Sequence, residues 1–297
     1  MATLTIKQLR YFEALARHGH FGHAADACAI SQPALSMQIK EMEATLGTAL
    51  VERGPRVAGL SKFGAEVLPR VRDILRGVDE LADLARASTG PLTGRLRLGV
   101  IPTVAPYLLA RIMAALTRGY PGLELGFRET MTQKLLEELA EGRLDCAIVA
   151  LPVSEQSLAE YALFSEAFVL VRPLGDAGRP VPDAQRLREM RLLLLEEGHC
   201  FRDQALSFCA TSGARPRELL DASALSTLVQ MVAAGIGVTL IPEMAIAVET
   251  AQARVSVARF PDPAPARTIG MIWRKASPLA GQLQDVAAVL HTTLQAD

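Results

Sequence analysis

The sequence predicts an α/β protein in which an N-terminal helix-turn-helix module is followed by a long helix and then by α/β layers. Three observations carry this. Apolar residues recur at helical spacing as far as Ala87, the Gly- and Pro-bearing stretch Ser88–Gly94 then breaks the pattern, and short apolar runs such as Leu192-Leu193-Leu194-Leu195 alternate with helical stretches beyond it. Strands separated by helices pack as layers. With 297 residues, 50% of them hydrophobic, the chain can bury two or three cores, and with only 5% aromatic those cores are built from Leu, Val, Ala and Ile.

Leu4–Arg17 carries Leu9, Phe12, Leu15 and Ala16 on one helical stripe, which Gly19 interrupts. A second, short helix is predicted over His23–Cys28, where Ala24, Ala25 and Ala27 permit close packing. Ser31 is a natural N-cap and Pro33 lies just inside the next helix, which runs through Leu46 with Leu35, Ile39, Met42 and Leu46 on one face. The polar residues Gln32, Pro33, Ser36, Gln38 and Lys40 are left toward other surfaces, the pattern of a recognition helix that enters the major groove. Gln32 is the best base reader, because an amide pairs with adenine, while Arg53 and Arg56 suit phosphate. Gly47 ends that helix, and Val51–Val57 is short enough for the hairpin of a winged module. Ser61 caps a new helix. From Ala65 to Ala87, Val67, Leu68, Val71, Ile74, Leu75, Val78, Leu81, Leu84 and Ala85 make an apolar stripe that needs a partner, most simply its symmetry mate in a dimer.

Ser88–Gly94 reads as a hinge. After it, strands are predicted at Arg95–Val100, Leu144–Val149, Phe168–Val171, Leu192–Leu195, Gly237–Pro242 and Thr268–Trp273, and helices at Leu108–Leu116 and Thr132–Leu139. The span is long enough for two subdomains around a cleft.

A formal net charge of −1 offers no global attraction for DNA, so a DNA reader with this balance relies on a local basic patch and on several copies acting together. The longest apolar runs stop short of the ~20 residues of a membrane span, and the N-terminus lacks the apolar core of a secretory signal. A cytoplasmic location is expected. There, the four cysteines are not expected to be structural bridges, and no zinc spacing or cofactor motif is present. His18, His20 and His23 lack the thiolates or carboxylates that would complete a metal site, Cys28 and Cys146 read as core, and His291 has no role.

Gly198-His199-Cys200-Phe201-Arg202-Asp203-Gln204 through Cys209 looks built for oxidation. Cys200 has an imidazole and a guanidinium as sequence neighbours, either of which favours a thiolate if the fold brings it close, and Cys209 is near enough in sequence to resolve an oxidised sulfur. Thr103 lies between a strand and the helical pattern after Pro106, where its hydroxyl and nearby amides can form a polar nest for a carboxylate or sulfate. An anionic metabolite is therefore one alternative ligand. A thiol peroxidase is another reading of the cysteines, but it leaves the N-terminal module unexplained.

The chain resembles LysR-type transcriptional regulators over essentially its whole length. The family signal lies in Phe21-Gly22-His23-Ala24-Ala25, Ser31-Gln32-Pro33-Ala34-Leu35-Ser36 and Leu46 through Arg53, and a sharper likeness to the hydrogen peroxide sensors of that family lies in Ile101 through Leu109, Glu197 through Cys209 and Arg267-Thr268-Ile269-Gly270. The resemblance implies a winged helix-turn-helix domain (1–64), a dimerising linker helix (65–87), a hinge (88–94) and a periplasmic-binding-protein-like regulatory domain of two α/β subdomains (95–297). It implies a homodimer assembling into a homotetramer on double-stranded promoter DNA, activating antioxidant genes through RNA polymerase and reset by a cellular thiol reductant. It gives Cys200 the peroxide-reactive role and Cys209 the resolving one, with a disulfide between them, and it gives Thr103, Thr132, His199, Asp203 and Arg267 roles in binding peroxide. A sensor rather than an enzyme is implied.

Overall fold

The computed structural model describes residues 3–53, 58–88, 90–209 and 219–295, which divide into two compact units at Ala85/Arg86. The side chains of residues 53, 58, 188, 207–209 and 219 lie outside the description.

The first unit follows its sequence closely. Helix α1 (Ile6–His18) starts at Thr5, whose hydroxyl accepts from the Gln8 N–H (3.2 Å) while the Gln8 side chain accepts from the Thr5 N–H, a reciprocal cap. Helix α2 (Phe21–Ala27) begins two residues before the predicted start, because His20 Nδ1 accepts from the Gly22 N–H (3.0 Å) and caps it. Histidine is not among the usual cap residues, so this start carried no signal. Helix α3 (Gln32–Leu46) has Ser31 as its N-cap and Gly47 as its C-cap, as predicted. The short strands β1 (Val51–Arg53) and β2 (Ala58–Leu60) pair antiparallel and form the wing, whose residues 54–57 lie outside the description.

Helix α4 (Lys62–Ala87) is capped by Ser61, which accepts from the Gly64 N–H (2.9 Å). At Gly64 a Cβ would lie 2.1 Å from the Leu50 carbonyl oxygen, so only glycine lets α4 start against the wing. The predicted single stripe on α4 divides in two. Val67, Leu68, Val71 and Leu75 pack on the core formed by Phe12, Leu15, Leu35, Ile39 and Met42. Ile74, Leu81 and Leu84 are 49%, 67% and 55% exposed.

The second unit is a nine-stranded assembly wrapped into two subdomains. Its elements are β3 (Gly94–Val100), α5 (Ala105–Gly119), β4 (Leu123–Glu129), α6 (Thr132–Ala140), β5 (Cys146–Leu151), β6 (Leu158–Pro173), α7 (Ala184–Glu189), β7 (Leu192–Leu195), α8 (Cys200–Cys209), β8 (Leu219–Ala222), α9 (Leu225–Ala233), β9 (Val238–Pro242), α10 (Ile246–Glu249), β10 (Val255–Arg259), β11 (Ala266–Arg274) and α11 (Ala280–Gln295). The strand order is β4-β3-β5-β11-β6-β9-β7-β8, with β10 also on β6. Strands β3, β4 and β5 run parallel and β11 antiparallel to β5, with α5, α6 and α11 contributing to one core. Strands β7, β8 and β9 are mutually parallel and, with α8 and α9, enclose the other.

Strand β6 belongs to both subdomains. Its residues up to Ala167 pair with β11, and Phe168–Val171 pair with β9. The chain returns through the connection between β10 and β11, so β6 and this connection link the two subdomains. The predicted short strand at Phe168–Val171 is thus only the far end of β6. Its first half, Leu158–Glu166, alternates buried and exposed positions and offers no apolar run. Strands β4, β8 and β10 carry no strand signal in the sequence for a related reason: β4 and β8 are sheet edges, β10 pairs only with β6, and none forms a continuous apolar run. Helices α7, α9, α10 and α11 were also not foreseen. Cys146 is fully buried in β5, where desolvation pushes its thiol well above the ordinary range. No helix among the described residues is long and apolar enough to cross a membrane.

Candidate functional site

Three helices of the second unit begin around one small pocket. Ile101, Pro102 and Thr103 form the turn from β3 into α5, Met131 and Thr132 stand at the start of α6, and Gly198, His199, Cys200 and Phe201 at the start of α8. Neither α5 nor α6 has a side-chain N-cap, so their first N–H groups leave partial positive charge at this end. The pocket encloses about 170 Å³ of empty space, open solvent included. Gly198 makes the turn into α8 at φ 97°, and a Cβ there would lie 2.8 Å from Met131 Sδ, so a side chain would disturb both the backbone and the pocket wall.

The polar groups fall into two sets. Arg267 Nη1 donates to Thr103 Oγ1 (2.8 Å), Nη2 donates to the Thr103 carbonyl (3.0 Å), and Nε donates to Glu166 Oε1 (2.7 Å). Arg267 and Glu166 are register partners on β11 and β6, at the crossing between subdomains. The guanidinium also lies over the Phe201 ring, 5.5 Å from its centroid. Burial raises the Glu166 carboxyl above its ordinary range, against the lowering pull of Arg267. Because Thr103 Oγ1 already accepts from a guanidinium, its own proton is directed elsewhere. In the second set, Thr132 Oγ1 and His199 Nε2 are buried without any hydrogen-bond partner. Burial lowers His199 below the usual histidine value, so it is neutral at pH 7.

Cys200 is half-buried with a free thiol, and it packs against the core of the opposite subdomain. The sequence-neighbour cations do not do what was expected of them. His199 is uncharged, and Arg202 is held by the Leu195 carbonyl (2.9 Å) and Asp221 (3.5 Å). What Cys200 has instead is its place as the first residue of α8. Of the predicted pocket residues, Thr103, Thr132 and His199 line the space with Cys200, and Arg267 stands behind Thr103. Asp203 is exposed on α8 and does not line it. Cys209 ends α8, and its thiol lies outside the described residues. Met131 and Phe201 lie within or beside quoted motifs, but Glu166 gave no signal, since its pairing with Arg267 depends on register across 101 positions.

In the first unit, Gln32, Pro33, Ser36 and Lys40 share one face of α3 together with Met37, which is 55% exposed and was not foreseen. Gln38 does not belong to that face. It lies two positions from both Ser36 and Lys40, roughly 200° around the helix, and its amide donates to Glu41 (2.7 Å). The side chain of Arg53 and all of Arg56 lie outside the described residues. His20 and His23 stack at 4.8 Å, and no group among the described residues could hold a metal.

Residues 6–65 match the bacterial regulatory helix-turn-helix protein, lysR family, and residues 89–295 match the LysR substrate binding domain. The chain is 44% identical to the probable hydrogen peroxide-inducible genes activator of Streptomyces viridosporus, over 98% of this chain and 95% of that one. Among solved structures it is similar to a full-length OxyR cysteine variant from Pseudomonas aeruginosa (33% identity, 99% and 95% coverage, TM-score 0.76). It is also similar to a Corynebacterium glutamicum OxyR cysteine mutant with hydrogen peroxide bound (34% identity, 98% and 92% coverage, TM-score 0.68). The chain belongs to the LysR family of bacterial helix-turn-helix regulators and groups within it with the OxyR proteins.

Proposed function

We propose that this chain is a hydrogen-peroxide-responsive transcriptional regulator whose sensing atom is the Cys200 sulfur. One observation carries the reading: a small pocket that holds a free cysteine beside two buried polar atoms without partners, Thr132 Oγ1 and His199 Nε2. Leaving buried polar groups unpaired costs about 1–3 kcal/mol each, a cost that a small polar ligand removes. Peroxide has two oxygens that both donate and accept. The thiolate attacks one oxygen, the O–O bond breaks, and the departing hydroxide takes up a proton, leaving a sulfenic acid on Cys200. Thr103 donates its hydroxyl proton toward the departing oxygen, with Arg267 fixing its direction, and the starts of α5, α6 and α8 favour the negative charge. The Cys209 thiolate then attacks the Cys200 sulfur, the S–O bond breaks, the departing hydroxide takes up a proton from solvent to leave as water, and a disulfide forms. A thiol among the lining residues favours a redox sensor over a site for an anionic metabolite, and the helix-turn-helix module makes the chain a regulator rather than a peroxidase.

Mass spectrometry with a sulfenate trap tests these roles. Cys200→Ser should abolish the fast reaction with peroxide, whereas Cys209→Ser should accumulate sulfenate at Cys200 and form no internal bridge. Rapid sulfenate at Cys209 in the Cys200→Ser variant reverses the assignment.

The DNA side of the reading rests on α3 and α4. Ile74, Leu81 and Leu84 leave α4 an apolar strip suited to a symmetry mate, giving a homodimer and, by further pairing, a tetramer that presents several basic patches at once. RNA polymerase and a thiol reductant complete the partners. Gln32→Ala should relax base preference more than it weakens binding to random duplex, since a bidentate amide contact is worth about 1–3 kcal/mol of discrimination. Footprinting and titration on one dyad-symmetric site check both points. Protection of a single half-site, or an equal loss on specific and random DNA, overturns them.

A further inference from the structure

We propose that the hydrogen bond between Tyr107 and Glu249 ties the two regulatory subdomains together and so sets the closure of the Cys200 pocket, which makes Tyr107 a positioning residue for the reaction with peroxide. Its hydroxyl donates to Glu249 Oε1 at 2.7 Å. Tyr107 stands on α5, in the first turn after Thr103, and its ring packs against both cores. Glu249 ends α10, on the short connection that follows β9 in the second subdomain. The same connection reaches across at another point. Met244 packs against the first core, and its N–H donates to Glu166 Oε2 (3.4 Å).

The pocket needs such a tie because its walls belong to different bodies. Thr103 and Thr132 come from the first subdomain, whereas His199 and Cys200 come from the second and Cys200 leans on the core of the first. A shift of about 1 Å between the subdomains therefore changes the spacing of the sulfur from the hydroxyls, and displacement on that scale can cost a reaction up to a hundredfold. Strand β6 and the connection between β10 and β11 fix the hinge, but a hinge leaves rotation open. The Tyr107–Glu249 bond adds a non-covalent link between the subdomains and resists the rotation. Burial and the Glu249 carboxylate together hold the phenol protonated, so it stays a donor throughout the physiological range.

This inference rests on the peroxide-sensing reading, and one set of rate measurements on the full-length protein separates the two. Tyr107→Phe and Glu249→Ala should each slow sulfenate formation at Cys200 roughly three- to tenfold, the rate equivalent of one net hydrogen bond. The double variant should be no slower than either single one, and Glu249→Gln, whose amide oxygen still accepts, should restore most of the rate. Methylthiolation of Cys200 by methyl methanethiosulfonate, which does not require the peroxide-binding groups, should change less than about twofold, as a thiol of unaltered intrinsic reactivity requires. A fast wild type with an unchanged Tyr107→Phe rate overturns the inference alone, as does an equal slowing with both reagents. A wild-type protein no faster with peroxide than a free thiol overturns the reading and the inference together.

Discussion

Arg267→Met is expected to cost the second unit about 3–5 kcal/mol, because it removes one member of a buried ion pair and leaves Glu166 without its cation. Both side chains are almost fully buried, so solvent screening does not soften the loss. The sign of the pH dependence follows from Glu166. Burial already raises its carboxyl, and Arg267 is the strongest influence pulling it down, so removing Arg267 raises it further. A carboxyl whose pKa is higher folded than unfolded binds its proton more tightly in the folded state. Its contribution to stability is therefore present below the ordinary carboxylate pKa and is lost as pH rises through the folded value. Urea unfolding should show a smaller deficit for Arg267→Met at pH 5 than at pH 8. Adding Glu166→Leu should recover most of the stability at pH 8, since an apolar pair of similar volume is often neutral. It should not recover fast oxidation of Cys200, because Thr103 still lacks the guanidinium that orients it. A double variant as unstable as the single one would place the cost in lost packing on Phe201 instead.

Local signals in the chain announced local structure, and the site shows where that stops. Ser31, Gly47 and Ser61 marked helix ends because caps act within a few residues, and Leu192–Leu195 marked a strand because β7 is buried along its whole length. Strand β4 and the first half of β6 sit half-exposed and lack that run. The motif around Cys200 drew attention to the correct turn, yet the charges beside it in sequence are not the ones that matter in space. His199 is made neutral by burial and Arg202 faces Leu195, whereas Glu166 and Arg267 meet only through strand register. The stripe on α4 was readable as apolar, but not its division between an internal core and an outer strip, which depends on where α1 and the wing end.

Oxidation should unwind the second half of α8 while its first half stays in place. The helix runs from Cys200 to Cys209, and nine steps at about 1.5 Å separate the ends by roughly 13 Å. A disulfide needs Cα atoms within about 7 Å, so the bridge cannot close on the intact helix. The anchors decide which part gives way. Phe201 is buried, meets Phe168 edge to face at 5.0 Å and lies under Arg267, and Ala205 is fully buried, whereas Leu206 is only partly so. Gln204 Oε1 is buried without a partner, which weakens the helix at the point where the anchored part ends. Closing so short a loop stabilises the oxidised chain by roughly 2–3 kcal/mol before strain, enough to move a nearly balanced two-state element. Amide exchange on the intact protein should therefore show residues 206–209 losing protection by at least about tenfold in the disulfide state, the equivalent of about 1.4 kcal/mol, while β7 and Phe168–Val171 hold theirs. In Cys209→Ser, peroxide should form the sulfenate and leave α8 protected, which separates the effect of the bridge from that of the first oxidation. If the disulfide forms completely and protection along residues 200–209 is unchanged, the segment does not refold, and the signal must leave the pocket by another route.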